Sequence, residues 1–350
     1  MSAPIYSNPG VQRETPDPSI YLRIQRGKTT LWYVINSTTR EEEDLRPCLP
    51  SPPKRILNSG CGVIGPIIYV AGGIDMDDDS DTGEDSVVGD VYSIDTRDPT
   101  SGWKKGCPMK EPRCDPHLVT VDAKLYAFGG ILRDESPYAE VFDESKLCWN
   151  ALQNPSTSVA DLPGVVYGAH AVLNKNNNMI LFHGQMLPSL YRYNIELDSW
   201  DTFSQSSLGE GKNTSALVDG ILYCLDWRRA GFMFGLDISD PENELQPVSF
   251  IENRDIEWSR TPLPQPEFES STGPTGFLVS LGESKLAVLC GGLIDRRDPE
   301  EAEFLVSYSV LNMSKLLNCT TGGVYFVANT LSVSYYKLMS GSRLMNCLPV

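Results

Sequence analysis

The stretch Leu125-Tyr126-Ala127-Phe128-Gly129-Gly130, a short apolar run closed by a glycine pair, decides the fold because it recurs. An earlier copy is Ile67-Ile68-Tyr69-Val70-Ala71-Gly72-Gly73, a weaker one Met179-Ile180-Leu181-Phe182-His183-Gly184, and the last clear one Leu286-Ala287-Val288-Leu289-Cys290-Gly291-Gly292. A fifth unit, Leu222-Tyr223-Cys224-Leu225-Asp226, keeps the run and has lost its glycines. Each copy leads to a second run carrying an aromatic residue: Tyr92, Phe142, Tyr191 with Tyr193, Phe234 and Tyr308. A lone tryptophan then closes four of the units, at 103, 149, 200 and 258, with separations of 46, 51 and 58 residues. Self-similarity at such a period is the mark of repeat architectures.

Runs rich in β-branched and aromatic residues, bounded by turn formers, predict strands. The 29 glycines and 25 prolines suit many short strands joined by turns. A glycine pair at a strand end permits close approaches that a Cβ would block. One tryptophan per unit supplies a large apolar wedge between sheets. A single four-stranded sheet cannot bury both faces, so several must pack radially and protect one another's edges. Five units are visible, with the glycine pair or its substitute at 72, 129, 183, 226 and 291. A sixth is suggested by Ile20-Tyr21-Leu22-Arg23-Ile24 and Leu31-Trp32-Tyr33-Val34-Ile35, a hairpin around Arg26-Gly27-Lys28. Closing the ring asks for strands from both chain ends. Gly323-Val324-Tyr325-Phe326-Val327 and Leu331-Ser332-Val333-Ser334-Tyr335-Tyr336 have β character and are the candidates to pair with that hairpin.

The expectation is an all-β propeller of six blades, each a four-stranded antiparallel sheet, closed by N- and C-terminal strands. Residues 1–18 are expected to be a flexible segment and 19–340 a single propeller, with clear repeats over 60–310. Residues 312–350 do not follow the repeat and are either a divergent closing blade or a poorly packed tail.

The order of strand, glycine pair, loop, tyrosine-bearing strand, turn and tryptophan resembles the kelch repeat over 60–310, and more weakly over 19–50. The opening Arg26-Gly27-Lys28-Thr29-Thr30 and Leu31-Trp32-Tyr33-Val34 resembles plant kelch proteins, many of which carry an F-box and serve as substrate receptors of ubiquitin ligases. The chain departs from them in that 1–18 is too short to hold an F-box. The resemblance implies a protein-binding scaffold or substrate-recognition module, not an enzyme, with another protein as partner. A propeller enzyme or small-ligand binder using the central channel is the alternative.

Composition narrows the choice. Apolar residues make up 41% and charged residues 21% of the 350, enough for a sizeable core. A net charge of −17 without a basic stripe argues against nucleic acid and anionic membranes as partners. No run approaches a membrane span, and the N-terminus lacks the pattern of a secretory signal. A cytoplasmic or nuclear monomer is therefore expected. The nine scattered cysteines contain no C-x-x-C pair and resemble neither a disulfide framework nor a zinc site.

Only three histidines are available for acid–base or metal work. His117 and His170 lie 12 and 13 residues before Gly129 and His183, which suggests matching structural places. The resemblance raises two metal-using relatives, galactose oxidase and the plant specifier proteins. The Glu-x3-Asp-x3-His iron pattern of the latter fails at every histidine: Met109 and Arg113 precede His117, Leu162 and Val166 precede His170, Lys175 and Met179 precede His183. No G-x-S-x-G elbow or P-loop occurs. No catalytic residue, metal or cofactor is expected. Candidate partner contacts are Arg133, Arg192, Arg228, Arg229, Arg296 and Arg297, which follow the glycine-pair positions or sit in neighbouring strands and can engage an acidic partner. The 75–85 insertion carries seven carboxylates in eleven residues. It fails the calcium-loop pattern and reads as a solvated loop or a contact for a basic partner.

Overall fold

The computed structural model describes residues 18–36, 45–77, 86–133, 136–155, 162–173, 178–184, 189–205, 214–226, 232–251, 275–294, 303–317, 324–338 and 342–350. Strands β1 (Ile20–Arg26) and β2 (Thr29–Ile35) form the expected hairpin, turning at Gly27 with φ +55°. The short β3 (Ile56–Leu57) and β6 (Ile74–Asp75) pair with each other and flank a sheet of β4 (Gly60–Ile64), β5 (Ile67–Ala71), β7 (Val91–Asp95) and β8 (Lys104–Lys105). The next sheet is β9 (His117–Val121), β10 (Lys124–Phe128), β11 (Ala139–Asp143) and β12 (Cys148–Ala151). It is followed by β13 (Val166–Val172), β14 (Met179–Gly184), β15 (Leu190–Asn194) and β16 (Ser199–Ser204). In each the strands are antiparallel and follow sequence order, as a propeller blade requires.

Two further sets of four are joined. They are β17 (Ser215–Val218), β18 (Ile221–Asp226), β19 (Phe232–Asp237) and β20 (Gln246–Ile251), then β21 (Thr275–Gly282), β22 (Lys285–Ile294), β23 (Glu303–Leu317) and β24 (Val324–Leu338). A parallel pairing of β20 with β24, from Val248 opposite Phe326 to Ile251 opposite Asn329, fuses them into one eight-stranded sheet. β23 and β24 are 15 residues each, so the end of their hairpin reaches across to the preceding set. Phe326 is buried there against Tyr223, over a site where Gly235 leaves room: a Cβ on Gly235 would lie 2.7 Å from the Phe326 ring.

The last strand, β25 (Ser342–Pro349), pairs antiparallel with β1, from Ile20 opposite Pro349 to Arg26 opposite Ser342. The two chain ends thus share a sheet of order β2-β1-β25. An isolated bridge between Trp32 and Leu49 marks the place of its fourth strand. The pairing segment differs from the expected one: residues 324–338 belong to β24, and 342–349 close onto the hairpin. The length of β23 dictates this, because its complement must be equally long before the chain can return. The tail is packed, with Phe326, Val327, Ala328, Tyr336, Leu338, Leu344, Cys347 and Leu348 all buried.

The first strands β25, β4, β9, β13, β17 and β21 adjoin in that cyclic order and return to β25. The fold is therefore an all-β propeller of antiparallel sheets, with no α-helix among the described residues. Cores lie between neighbouring sheets. Each described repeat tryptophan packs towards the preceding sheet and donates its indole N–H to a carbonyl there: Trp103 to Pro50 at 2.7 Å, Trp149 to Cys107 at 3.1 Å, and Trp200 to Gln153 at 2.6 Å. Around Trp200 stand Phe182 and Tyr193 of its own sheet and Phe128 and Tyr138 of the preceding unit. Trp258 lies outside the described residues.

Candidate functional site at the connection face and channel mouth

Connections from second to third strand, and from one sheet to the next, emerge at the same end of the ring. The glycine pairs build this end. Gly72 and Gly73 have φ of +67° and +105°, Gly129 and Gly130 of +67° and +69°. A Cβ on Gly72 would meet the Arg113 carbonyl at 2.6 Å, and one on Gly130 the Cys114 carbonyl at 2.5 Å. The freed backbone bonds across the seam between sheets: Gly73 N–H to Arg113 O at 2.7 Å, and Gly130 N–H to Gly164 O at 2.9 Å.

Arg113 secures the next layer. It and Glu140 are fully buried and paired at 3.0 Å. The guanidinium also donates to the carbonyls of Gly129, Pro137 and Tyr138, and Glu140 accepts from the backbone of Lys110 and Glu111. One ion pair thus ties the β8–β9 connection to the β10–β11 connection, which carries Arg133. Every remaining donor and acceptor is used, which is what makes a buried charge pair tolerable.

Arg133 is exposed on that pinned connection. Arg192 sits elsewhere, in the middle of β15, where it pairs with Asp201 and its guanidinium carbon stands 5.7 Å from the Phe203 ring centroid. Arg228 and Arg229, between β18 and β19, and Arg296 and Arg297, between β22 and β23, lie outside the described residues. By chain order these four fall in the same kind of connection as Arg133. The acidic insertion falls in the β6–β7 connection. Of its carboxylates, Asp75 pairs with Lys54 at 2.8 Å and Asp77 with Arg55; residues 78–85 lie outside the described ones.

A channel runs through the ring, a cavity of about 430 Å³ lined by all six first strands. At the connection face it continues into a smaller mouth bordered by Gly60, Pro116, His117, Gly168, His170 and Asn346. All three histidines gather here. His117 Nε2 accepts the Ala169 N–H at 3.2 Å. His170 Nε2 and His183 Nε2 both stand 2.8 Å from Ser215 Oγ. Sequence spacing put His117 and His170 in matching places, and the register corrects this. His117 faces Phe128 while His170 faces Leu181, so Ala169, opposite Phe182, is the equivalent of His117. The connection between Val172 and Met179 is longer than the tight turn between Val121 and Lys124, which shifts the count.

Burial pushes His170 down to about 3, helped by neighbouring His183, and burial alone pushes His183 down to about 4. His170 keeps some accessible surface towards the channel, whereas His183 is buried with Nδ1 unpartnered. An orphaned N–H is the costlier choice. The His183 proton therefore sits on Nε2 and is donated to Ser215, whose hydroxyl donates in turn to His170. This convergence had no sequence motif, because its members come from β13, β14 and β17. Among the described residues no three His, Cys, Asp or Glu side chains gather closely enough to hold a metal. The described cysteines are free thiols, and no described helix is long and apolar enough to cross a membrane.

The propeller class carries over to the comparisons. Several curated F-box/kelch-repeat proteins of Arabidopsis thaliana resemble this chain at low identity. One is 30% identical over 132 residues, covering 36% of this chain and 32% of its own length. A second is 24% identical over 254 residues, 71% of this chain and 56% of its own. A third is 25% identical over 237 residues, 60% and 55% respectively. These matches span about a third to just over half of the relatives' lengths. No protein-family model matches the chain.

Proposed function

We propose that the chain is a protein-recognition module, a single six-bladed kelch propeller that binds its partner with the connection face and acts by binding, not by catalysis. The observation that carries the reading is the Arg113–Glu140 clasp. It spends two fully buried charges on fixing a connection whose exposed Arg133 has no part in the clasp. A connection pinned at both ends, at Gly129 and at Pro137 with Tyr138, gives up less ordering entropy on binding than a free loop. By chain order, three of the second-to-third-strand connections carry arginines and one carries the acidic insertion. This suits a partner surface of mixed charge. The relatives' names support a substrate-recognition role, and a link to ubiquitin ligases rests on those names alone. A monomer in the cytoplasm or nucleus completes the reading.

The test is quantitative affinity purification of the full chain from plant extract. It compares wild type, Arg133→Glu, and a variant with Arg228, Arg229, Arg296 and Arg297 all changed to Ala. We expect one set of proteins depleted in both variants and retained by Arg192→Ala. Equal recovery by all four proteins would remove the connection face as the recognition surface.

A further inference from the structure

We infer that Cys61 is a redox-modification site, a channel-facing thiol that hydrogen peroxide oxidises to a sulfenic acid while the Arg23 guanidinium holds its sulfur. The inference goes beyond the protein-recognition reading and does not depend on it.

Arg23 carries the argument. It stands in the middle of β1, opposite Trp32 on one side and Asn346 on the other, and only 4% of it is exposed. A buried guanidinium ordinarily has a carboxylate partner, as Arg113 has Glu140. Arg23 has none among the described residues, and its donors go to neutral groups across the seam. Nη1 donates to the Ser59 carbonyl at 3.0 Å and to Cys61 Sγ at 3.3 Å, and Nη2 to Ser59 Oγ at 2.8 Å and the Ile56 carbonyl at 3.3 Å. The Nε N–H has no partner. A full positive charge is thus held out of water without a counter-charge. Of the four acceptors around it, the sulfur is the one that readily becomes anionic.

That sulfur is within reach of small molecules. Cys61 lies in β4 and borders both the channel and its mouth. The channel admits water, and hydrogen peroxide is a neutral molecule only slightly larger. Cys347 borders the same two spaces and provides the contrast. Burial, with neighbouring Cys290 adding to it, pushes the Cys347 thiol well above the ordinary range.

The step is a two-electron oxidation. The Cys61 sulfur takes one peroxide oxygen, so that an S–O bond forms as the O–O bond breaks, and the other oxygen leaves as water with the thiol proton. The attacking form of a cysteine is the thiolate, for which the guanidinium supplies a counter-charge. Afterwards the same donors serve the new oxygen, and hydrogen bonds to an ionised oxygen are the stronger kind. Arg23 belongs to the closing sheet and Cys61 to the first repeat sheet, so the modification falls on the seam that closes the ring.

The experiment treats the reduced full chain with hydrogen peroxide in the presence of dimedone, which traps sulfenic acids, and follows each cysteine by peptide mass spectrometry. We expect Cys61 to be labelled at least about tenfold faster than Cys347. In denaturing urea the two should label alike, and a preference that persisted there would assign it to local sequence and overturn the inference. Arg23→Met should lose the preference, and Arg23→Lys, which keeps the charge, should restore part of it. Should Arg23→Met fail to fold, the comparison of Cys61 with Cys347 within the unmodified chain decides. Equal labelling of the two in the folded chain, or undiminished labelling of Cys61 in folded Arg23→Met, overturns the inference.

Discussion

Arg113 and Glu140 show how one residue pair organises a surface far larger than itself. Replacing Arg113 by Ala strands a buried carboxylate that still accepts two backbone N–H groups, and truncating one partner of such a pair costs about 3–5 kcal/mol. Urea unfolding of Arg113→Ala should register a loss of that size. Arg113→Met with Glu140→Leu should recover part of it. A loss below about 1 kcal/mol would mean that the clasp is dispensable. The histidine cluster makes a second prediction. His170 and His183 titrate near 3 and 4 in the fold, against about 6.5 in the unfolded chain. Below about 6.5 the unfolded chain therefore binds more protons, so the contribution is complete above that pH and is lost as pH falls towards 4. Two such groups give a slope of up to about 2.7 kcal/mol per pH unit within the window. Urea midpoints at several pH values between 4 and 7 read it directly, and His183→Gln should remove roughly half the slope. A flat profile across the window would show that the imidazoles are not held neutral.

Glycine pairs act at the scale of the element, because each fixes where a second strand ends and how its connection meets the next sheet. The prediction separates conformation from space. Gly27 has φ +55° and nothing within 4 Å of an added Cβ, so Gly27→Ala should cost only the left-handed backbone penalty of about 1 kcal/mol. Gly72 combines φ +67° with the Arg113 carbonyl at 2.6 Å and Met109 Cε at 2.9 Å. Gly72→Ala should cost at least twice as much in the same unfolding assay, and equal costs would deny the pair its seam role. The pairs and the tryptophans are legible in the sequence because each answers a local demand repeated in every unit. The fused β17–β24 sheet was not legible, since its β20–β24 pairing joins residues about 80 apart in parallel register. The closing strand was misplaced for a related reason. Leu331-Ser332-Val333 carries more β character than Leu344-Met345-Asn346, and only the 15-residue span of β23 decides that the latter is left over to meet β1. The histidine convergence depends on register. A shift of one residue separates His170 from the place of His117, and sequence spacing does not resolve a shift of that size.

At the scale of the molecule, the ring is held by one pairing that no local repeat provides. β25 is the first strand of the sheet whose other members are β1 and β2, so the two chain ends lock each other. Leu344 and Cys347 share a core with Ile20, Leu22, Ile24, Phe277, Val306 and Tyr336, joining the opening hairpin to the last repeat. Leu344→Ala should cost about 2–5 kcal/mol as a cavity in that core. Removing 342–350 should do more than subtract those contacts. It leaves β1–β2 as a two-stranded hairpin, which is marginal alone, and it exposes the edge of β1 together with the face of β21, in contact with β25 in the closed ring. The shortened chain is expected to lose its single cooperative melting transition and to associate, as read by calorimetry and light scattering. A truncated chain that melted like the intact one would show that sheet-to-sheet packing alone closes the propeller, and β25 would then be an accessory strand instead of the lock.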